Sequence, residues 1–223
     1  MKTIGILGGL GPKTTSNLYL EIVNSDEFKE YPNILISNVC FSKKLDEQII
    51  KNQQNANLML SPIIQSINQL IKLGIKDIIL PCNTLEDLVP KIKKKIKVNL
   101  VTPVEETVKE LFKLKIKKIG LLATSKTQEL KIYEKKLKNL KIIYPSKKDQ
   151  KKVSKIIYKI ISNTAEKRDK KFLEKIIQDF KKIGCEKVVL GCTDISDLIQ
   201  KNSFIIDSFS LLAKKAKSIL KES

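Results

Sequence analysis

The sequence predicts an α/β protein built from two similar lobes, each with a mostly parallel four-stranded sheet flanked by helices. Short β-branched runs alternate with longer segments of helical periodicity, which is typical of β-α units. The order of motifs in the first half of the chain recurs in the second half. With 223 residues and 42% hydrophobic content, the chain can form one large domain or two lobes of about a hundred residues each.

The predicted strands are apolar runs bounded by turn residues, and they fall into two sets of four. The first set is Thr3–Gly9, Asn33–Val39, Asp77–Cys82 and Val98–Pro103. The second set is Lys118–Thr124, Leu140–Pro145, Lys187–Cys192 and Ser203–Asp207.

Helices are predicted between these strands wherever apolar residues recur with helical spacing. The predicted helices are Thr14–Ser25, Ala56–Leu73, Leu85–Lys95, Glu105–Lys113, Thr127–Leu137, Gln150–Asn163, Lys170–Ile183, Asp194–Lys201 and Phe209–Lys221.

The two halves align along their whole length, which indicates an internal duplication. Ile4 matches Ile119 at an offset of 115 residues, and Cys82 matches Cys192 at an offset of 110. The change in offset is small enough to be explained by loops of different length. The sequence therefore predicts two pseudo-symmetric, Rossmann-like lobes.

The predicted lobes comprise residues 1–102 with 208–223, and residues 103–207. Ligands of parallel α/β sheets lie beyond the carboxyl ends of the strands. Cys82 and Cys192 both fall at such ends, so we expect them to face each other across an active site in the cleft between the lobes.

The formal charge of +19 raises the question of nucleic-acid binding. All but one of the 43 basic residues are Lys, they are spread along the chain, and Arg168 is the single arginine. A reader of nucleic acid usually has many planar guanidinium groups. We therefore expect solvated surface lysines and no nucleic-acid partner, and a non-catalytic, lysine-rich binding protein is the alternative of a different class.

The four cysteines do not form a disulfide framework or the close pairs of a zinc site, so we expect reduced thiols and no metal. Cys40 and Cys185 are predicted to be buried fillers. No apolar run reaches the roughly 18 residues that cross a bilayer, and the N-terminus lacks the pattern of a signal peptide. We therefore expect a cytoplasmic protein without a membrane partner.

Cys82 and Cys192 are each predicted at the start of a helix, where the helix dipole favours a thiolate and lowers the pKa of the thiol. Two matched acid/base groups on opposite sides of a carbon are what a racemase or epimerase needs. The chain contains no His, which excludes a Cys-His protease pair.

The glycine-rich loop GGLGP, residues 8–12, lies between a predicted strand and a predicted helix. It is an incomplete dinucleotide loop, because no glycine occupies position 14. We expect its backbone N–H groups to approach a substrate carboxylate, and we expect no cofactor.

Five motifs carry a family resemblance, in order and over essentially the whole chain: MKTIGILGGLGP, LPCNT, VEET, GLLAT and LGCTD. The sequence resembles the aspartate/glutamate racemase family, nearest its aspartate racemase branch. The resemblance implies a cofactor-independent racemase with two α/β lobes and one catalytic cysteine per lobe. We also expect a homodimer.

Carried over by motif, the resemblance makes Cys82 and Cys192 the acid/base groups. Glu86 stands where members usually have His, and Asp194 where they commonly have Glu, so both are expected to modulate the thiols. An arginine expected after the second strand is absent, with Lys43 and Lys44 nearby. The implied substrate-binding residues are Gly9, Leu10, Gly11, Asn83, Thr84, Thr124, Lys167 and Thr193.

The resulting hypothesis is a racemase of an acidic amino acid, with aspartate the preferred candidate and Lys167 and Arg168 supplying the charge that selects it. A broad-specificity racemase or an isomerase of the same superfamily is the alternative within the same class.

Overall fold

A computed structural model describes residues 2–42, 44, 45, 48 and 56–222. The fold contains two four-stranded sheets, and all their strand pairs are parallel. The strands of the first sheet are β1 (Ile4–Gly8), β2 (Ile34–Asn38), β3 (Asp77–Ile79) and β4 (Asn99–Val101). Those of the second are β5 (Lys118–Leu122), β6 (Lys141–Ile143), β7 (Lys187–Leu190) and β8 (Ile205–Asp207).

The two sheets have the same topology, with orders β2-β1-β3-β4 and β6-β5-β7-β8. In each sheet the first strand in chain order lies second from the edge. The carboxyl ends of β1 and β3 therefore correspond to those of β5 and β7. The predicted fold class, two similar α/β lobes, is confirmed.

Helices flank both sheets. In chain order they are α1 (Pro12–Val23), α2 (Leu60–Lys72), α3 (Val89–Lys95), α4 (Pro103–Lys113), α5 (Ser125–Glu129), α6 (Lys147–Ile161), α7 (Lys167–Lys182) and α8 (Ser208–Lys221). Short 3₁₀ helices occupy Ala56–Met59, Thr84–Leu88 and Thr193–Asp197. None of the helices within the described residues is long and apolar enough to cross a membrane.

Helix α2 shows why these segments fold as they do. Its buried residues Ile63, Ser66, Ile67 and Leu70 recur at the spacing of one helix face, and that face packs into the core of the first lobe. Helix ends are set by polar caps, such as Thr102, whose side chain accepts a hydrogen bond from the backbone N–H of Glu105 at the start of α4.

The last helix, α8, returns to the first sheet. Leu212 and Ala216 of α8 are fully buried with Ile4 and Ile6 of β1 in a single apolar cluster. Helix α4 packs along α8 and contributes Val104 to the core of the second lobe. The exact domain bounds given above stay a prediction.

The structure corrects three predicted helices. The segment predicted as Thr127–Leu137 is helical only as α5 and then continues as turns, with Lys131 in a left-handed conformation at φ 49°. The helices predicted after the two cysteines begin as five-residue 3₁₀ turns, and the one after Cys192 does not continue as an α-helix.

Candidate active site

The carboxyl ends of the two sheets enclose a small cavity. From the first lobe it is lined by Leu10, Gly11, Cys82, Asn83 and Thr84. The second lobe contributes Thr124, Cys192, Thr193 and Asp194. The predicted thiols thus lie at one cavity, together with most of the residues that the resemblance assigned to substrate binding.

The two cysteines reach the cavity by equivalent routes. Cys82 follows β3, which ends at Ile79, and Cys192 follows β7, which ends at Leu190. Since β3 and β7 hold the same position in their sheets, the two turns present their thiols from opposite lobes.

The environments of the two thiols differ. Cys82 is half-buried, whereas the side chain of Cys192 is buried. Burial raises the pKa of Cys192 well above the usual thiol range, and the carboxylate of Asp194 and a charge on Cys82 raise it further. The predicted lowering of the pKa by a helix dipole is wrong for Cys192, because the following turn is a short 3₁₀ helix and desolvation dominates.

Asp194 connects Cys192 to the other lobe. The thiol of Cys192 donates to Asp194 Oδ2 over 3.5 Å, and the hydroxyl of Thr14 donates to Asp194 Oδ1 over 2.5 Å. Burial raises the pKa of Asp194, against the lowering effect of the Thr14 hydrogen bond. The Asp194 charge also raises the pKa of Cys192, which favours the protonated thiol.

Hydroxyl groups bridge the lobes on both sides of the thiols. The hydroxyls of Thr84 and Thr124 are hydrogen-bonded at 3.1 Å, and Thr193 donates to the backbone carbonyl of Pro81 at 3.1 Å. The space left in the cavity is about 40 Å³, which is room for about one water molecule. This space is smaller than an amino acid, so the cleft must widen to bind one.

A buried network fixes the amide of Asn83. Tyr133, which is fully buried, donates from its hydroxyl to Asn83 Oδ1 at 2.7 Å. Asn83 Nδ2 donates to the hydroxyl of Ser208 at 3.1 Å, and Ser208 donates to the carbonyl of Leu190 at 2.7 Å. With its oxygen engaged, Asn83 is oriented before any substrate enters.

The glycine loop after β1 approaches the second lobe closely. Gly9 and Gly11 have φ angles of 83° and 92°, which favour glycine. A Cβ at Gly11 would come within 2.9 Å of Asp194 Oδ1. Leu10 and Gly11 line the cavity, whereas Gly9 supports the loop by donating its N–H to Thr15 Oγ1 at 3.3 Å and is not a lining residue.

Two further residues singled out from the sequence lie away from the cavity lining. Lys167 is exposed at the start of α7. Glu86 is buried, with Lys136 Nζ within ion-pair distance, 2.9 Å from Oε1, but not in line for a hydrogen bond. Lys43 lies outside the described residues, and Lys44 is exposed.

Of the two cysteines predicted as buried fillers, Cys185 is buried in the core of the second lobe, as expected. Cys40 is exposed, so that prediction is wrong; it follows the end of β2, an edge strand, rather than a central one. Within the described part of the chain, no group of three or more His, Cys, Asp or Glu residues could hold a metal ion.

The sequence reasoning missed part of the apolar lining of the cavity. Met59, Leu85, Ile157 and Ile161 contribute this part. Ile157 and Ile161 are one helical turn apart on α6, a spacing that in the sequence alone is that of any core-facing pair. Tyr133 was missed too, because it lies in a turn that was predicted to be helical.

Two matched acid/base groups on opposite sides of one carbon are what a racemase or epimerase needs. The structure brings one thiol from each of two α/β lobes of equal topology to a single cavity. The chain belongs to the Asp/Glu/hydantoin racemase family, whose model matches residues 7–216. It is therefore an isomerase of the racemase type.

Individual relatives match this chain over nearly its whole length. The chain is 28% identical to the broad specificity amino-acid racemase RacX of Bacillus subtilis, with 96% of each chain covered. Its fold is similar to that of the Picrophilus torridus aspartate racemase, with a TM-score of 0.82, 24% identity and coverage of 99% and 94% of the two chains. It is also similar to an aspartate racemase homologue from Pyrococcus horikoshii, with a TM-score of 0.78, 24% identity and full coverage of both chains.

Proposed function

We propose that this protein is a cofactor-independent amino-acid racemase that uses Cys82 and Cys192 as its two acid/base groups. The observation that carries the proposal is the placement of two thiols, from equivalent turns of two similar lobes, at one enclosed cavity. The similarity to RacX supports an amino acid as the substrate.

In this mechanism one thiolate removes the proton from Cα, and the thiol opposite delivers its proton to the other face of the planar intermediate. One proton leaves the substrate and one returns, so each turnover exchanges the protonation states of the two cysteines. The negative charge that develops towards the substrate carboxylate is stabilised by hydrogen-bond donors around the cavity. We assign this role to Thr84, Thr124 and the backbone N–H of Gly11, because all three residues line the cavity.

The unequal thiols give the two directions different starting states. Because its pKa is raised, Cys192 is a protonated thiol at neutral pH and is ready to act as the acid. Cys82, half-buried, is then the base that takes the α-proton first. In the reverse direction Cys192 must lose its proton, and Asp194, which accepts its hydrogen bond, is the neighbouring group that can assist.

The hypothesis of an acidic substrate, aspartate above all, is supported by the sequence resemblance and by the similarity to aspartate racemase structures. The broad-specificity alternative is supported by RacX.

The proposal is tested by Cα hydrogen exchange in deuterated water across a panel of L- and D-amino acids, together with polarimetric racemisation. Cys82→Ala and Cys192→Ala are each expected to abolish racemisation, because a two-base mechanism needs both faces served. Cys40→Ala, an exposed thiol away from the cavity, is the matched control and keeps its activity. Substantial racemisation by either active-site variant contradicts the mechanism.

A further inference from the structure

The cavity lining contains two chemically different groups of side chains, which we call its polar and its apolar side. The polar side comprises the thiols, Asn83 and the threonines, which suit the amino and carboxylate groups shared by all amino acids. The apolar side comprises side chains from several separate elements, namely Leu10, Met59, Leu85, Ile157 and Ile161.

The apolar side is built into the cores of both lobes. Met59 and Leu85 belong to the core of the first lobe and are 2% and 3% exposed. Ile157 is fully buried in the core of the second lobe, and Ile161, at the end of α6, is partly buried against it. Core packing thus holds these apolar side chains in place at the cavity, and a change of rotamer cannot put a polar side chain there.

The charge of the lining disfavours a second carboxylate. Among the described residues that line the cavity there is no Lys or Arg, and Asp194 is the one carboxyl group. A dicarboxylic substrate would bring a second negative charge into a narrow space that already contains Asp194. Since none of the described lining residues is a cation that could pair with it, that charge is costly to desolvate.

Three described basic residues on α6 and α7 are engaged or exposed. Lys159, on the same helix as Ile157, donates to both carboxylate oxygens of Asp169 at 2.9 and 3.2 Å. Arg168 pairs with Glu166 at 2.8 Å and is exposed, as is Lys167 beside it. Neither Lys167 nor Arg168 is among the lining residues.

We infer that the substrate of this racemase is an amino acid with an uncharged, apolar side chain, and that Met59, Ile157 and Ile161 determine this specificity. The inference rests on the proposed function and deepens it. The polar side of the cavity holds the α-amino and α-carboxylate groups, and the substrate side chain packs against the apolar wall. Differences of a few methylene groups in such a pocket change kcat/KM by about tenfold or more.

The test compares kcat/KM for Cα exchange with leucine, methionine, alanine, aspartate and glutamate. The wild-type enzyme is expected to prefer leucine or methionine over aspartate by about tenfold or more. A preference for aspartate or glutamate overturns the inference while leaving the racemase proposal intact.

The wall is tested by Ile161→Lys, which places a cation in the cavity. Ile161 is partly buried and closes α6, where a lysine suits the helix dipole, so the variant is expected to fold. The ratio of its kcat/KM with leucine to its kcat/KM with aspartate should fall by about tenfold or more. The control Ile183→Lys, at an exposed isoleucine that ends α7, should leave the ratio as in the wild type. An unchanged ratio in Ile161→Lys overturns the assignment of this wall.

Two further measurements separate the remaining outcomes. The double variant Lys167→Ala with Arg168→Ala should change the rates with leucine and aspartate in the same proportion, and selective loss with aspartate contradicts the inference. Binding is measured by the shift in melting temperature of Cys82→Ala/Cys192→Ala with leucine or aspartate, independently of turnover. If leucine alone stabilises the variant and the wild type shows no Cα hydrogen exchange, the racemase proposal is refuted while the preference for an apolar side chain is supported. If aspartate alone stabilises the variant, or if neither amino acid does, the preference for an apolar side chain is refuted.

Discussion

At the scale of single residues, the unequal environment of the two thiols is the feature with the clearest chemical consequence. Cys192 is enclosed and faces a carboxyl group, whereas Cys82 is half-buried. Burial raises the pKa of Cys192 well above the usual thiol range, and the negative charge of Asp194 raises it further.

We predict that Asp194→Asn lowers the pKa of Cys192, because the change removes a negative charge that disfavours the thiolate. The measurement is the pH dependence of alkylation of Cys192 by iodoacetamide, with the modified cysteine identified by mass spectrometry. Since alkylation requires the thiolate, the profile of the variant should move to lower pH, and Cys192 should react faster at neutral pH than in the wild type.

Asp87→Asn is the matched control for this experiment. Asp87 is equivalent in sequence to Asp197 in the other lobe and forms an exposed ion pair with Lys135, so its neutralisation removes one charge without touching Cys192. A profile for Asp194→Asn that coincides with the control, or moves to higher pH, would show that burial alone sets the proton affinity of Cys192.

The residues of the site were partly predictable from the sequence. Cys82 and Cys192 stand out because each ends an apolar run and the two runs repeat at corresponding places. Ile157 and Ile161 do not stand out, because a helical pair of isoleucines has the same spacing whether it faces a core or a ligand. Their role depends on how the two lobes approach each other, which local periodicity does not encode.

At the scale of secondary-structure elements, the strands were well predicted and the segments after the cysteines were not. Alternation and β-branched content are local properties, so the eight strands are found within a few residues of their predicted bounds. The segments that follow Cys82 and Cys192 begin as short 3₁₀ turns, and the first of them continues as the predicted α-helix over Val89–Lys95. Hydroxyl and carboxyl groups of the two turns are engaged across the cleft. Those contacts join distant parts of the chain.

The central strands β1 and β5 provide a matched test of packing at equivalent positions. Gly5 and Gly120 occupy corresponding sites, and each lies under a helix. A Cβ at Gly120 would come within 2.4 Å of the ring of Phe180, whereas a Cβ at Gly5 would come within 2.8 Å of a terminal methyl of Leu70. A leucine methyl can move aside, but a buried aromatic ring has less freedom to do so.

We predict that Gly120→Ala lowers the free energy of unfolding by about 1–3 kcal/mol, the usual range for overpacking in a core. Gly5→Ala should lower it by clearly less. Urea unfolding of both variants, followed by circular dichroism, measures the difference. Equal losses in the two variants would mean that the helix carrying Phe180 shifts as easily as the side chain of Leu70.

At the scale of the whole molecule, the duplicated topology explains why the site lies where it does. Each lobe places the turns after its two central strands at one edge, and the two edges face each other. Hydrogen bonds between Thr14 and Asp194 and between Thr84 and Thr124 join the lobes directly. Opening the cleft for substrate must break contacts of this kind, so closure and preorganisation of the site are coupled. The homodimer and the cytoplasmic location remain predictions.

The net charge of +19 is a second property of the whole molecule. An enzyme with a basic surface and a polyanion-binding protein would both carry such a charge, so the type and the engagement of the basic residues must separate them. Many of the lysines are engaged in ion pairs on the surface, such as Lys217 with Glu21 and Glu27. With 42 lysines and one arginine, the surface carries point charges and lacks the planar groups that read bases. Any attraction to polyanions should therefore be unspecific and screened by salt.

We predict that the protein binds duplex DNA and poly-glutamate of matched charge about equally at low salt, and that both interactions vanish at physiological salt because they depend on counterion release. Fluorescence anisotropy with labelled DNA and labelled poly-glutamate over a salt series measures this, with racemisation assayed in the same buffers as the internal control. Salt-resistant or sequence-dependent binding to DNA would instead support the lysine-rich binding protein, and it would do so most strongly if Cys82→Ala and Cys192→Ala bound as well as the wild type.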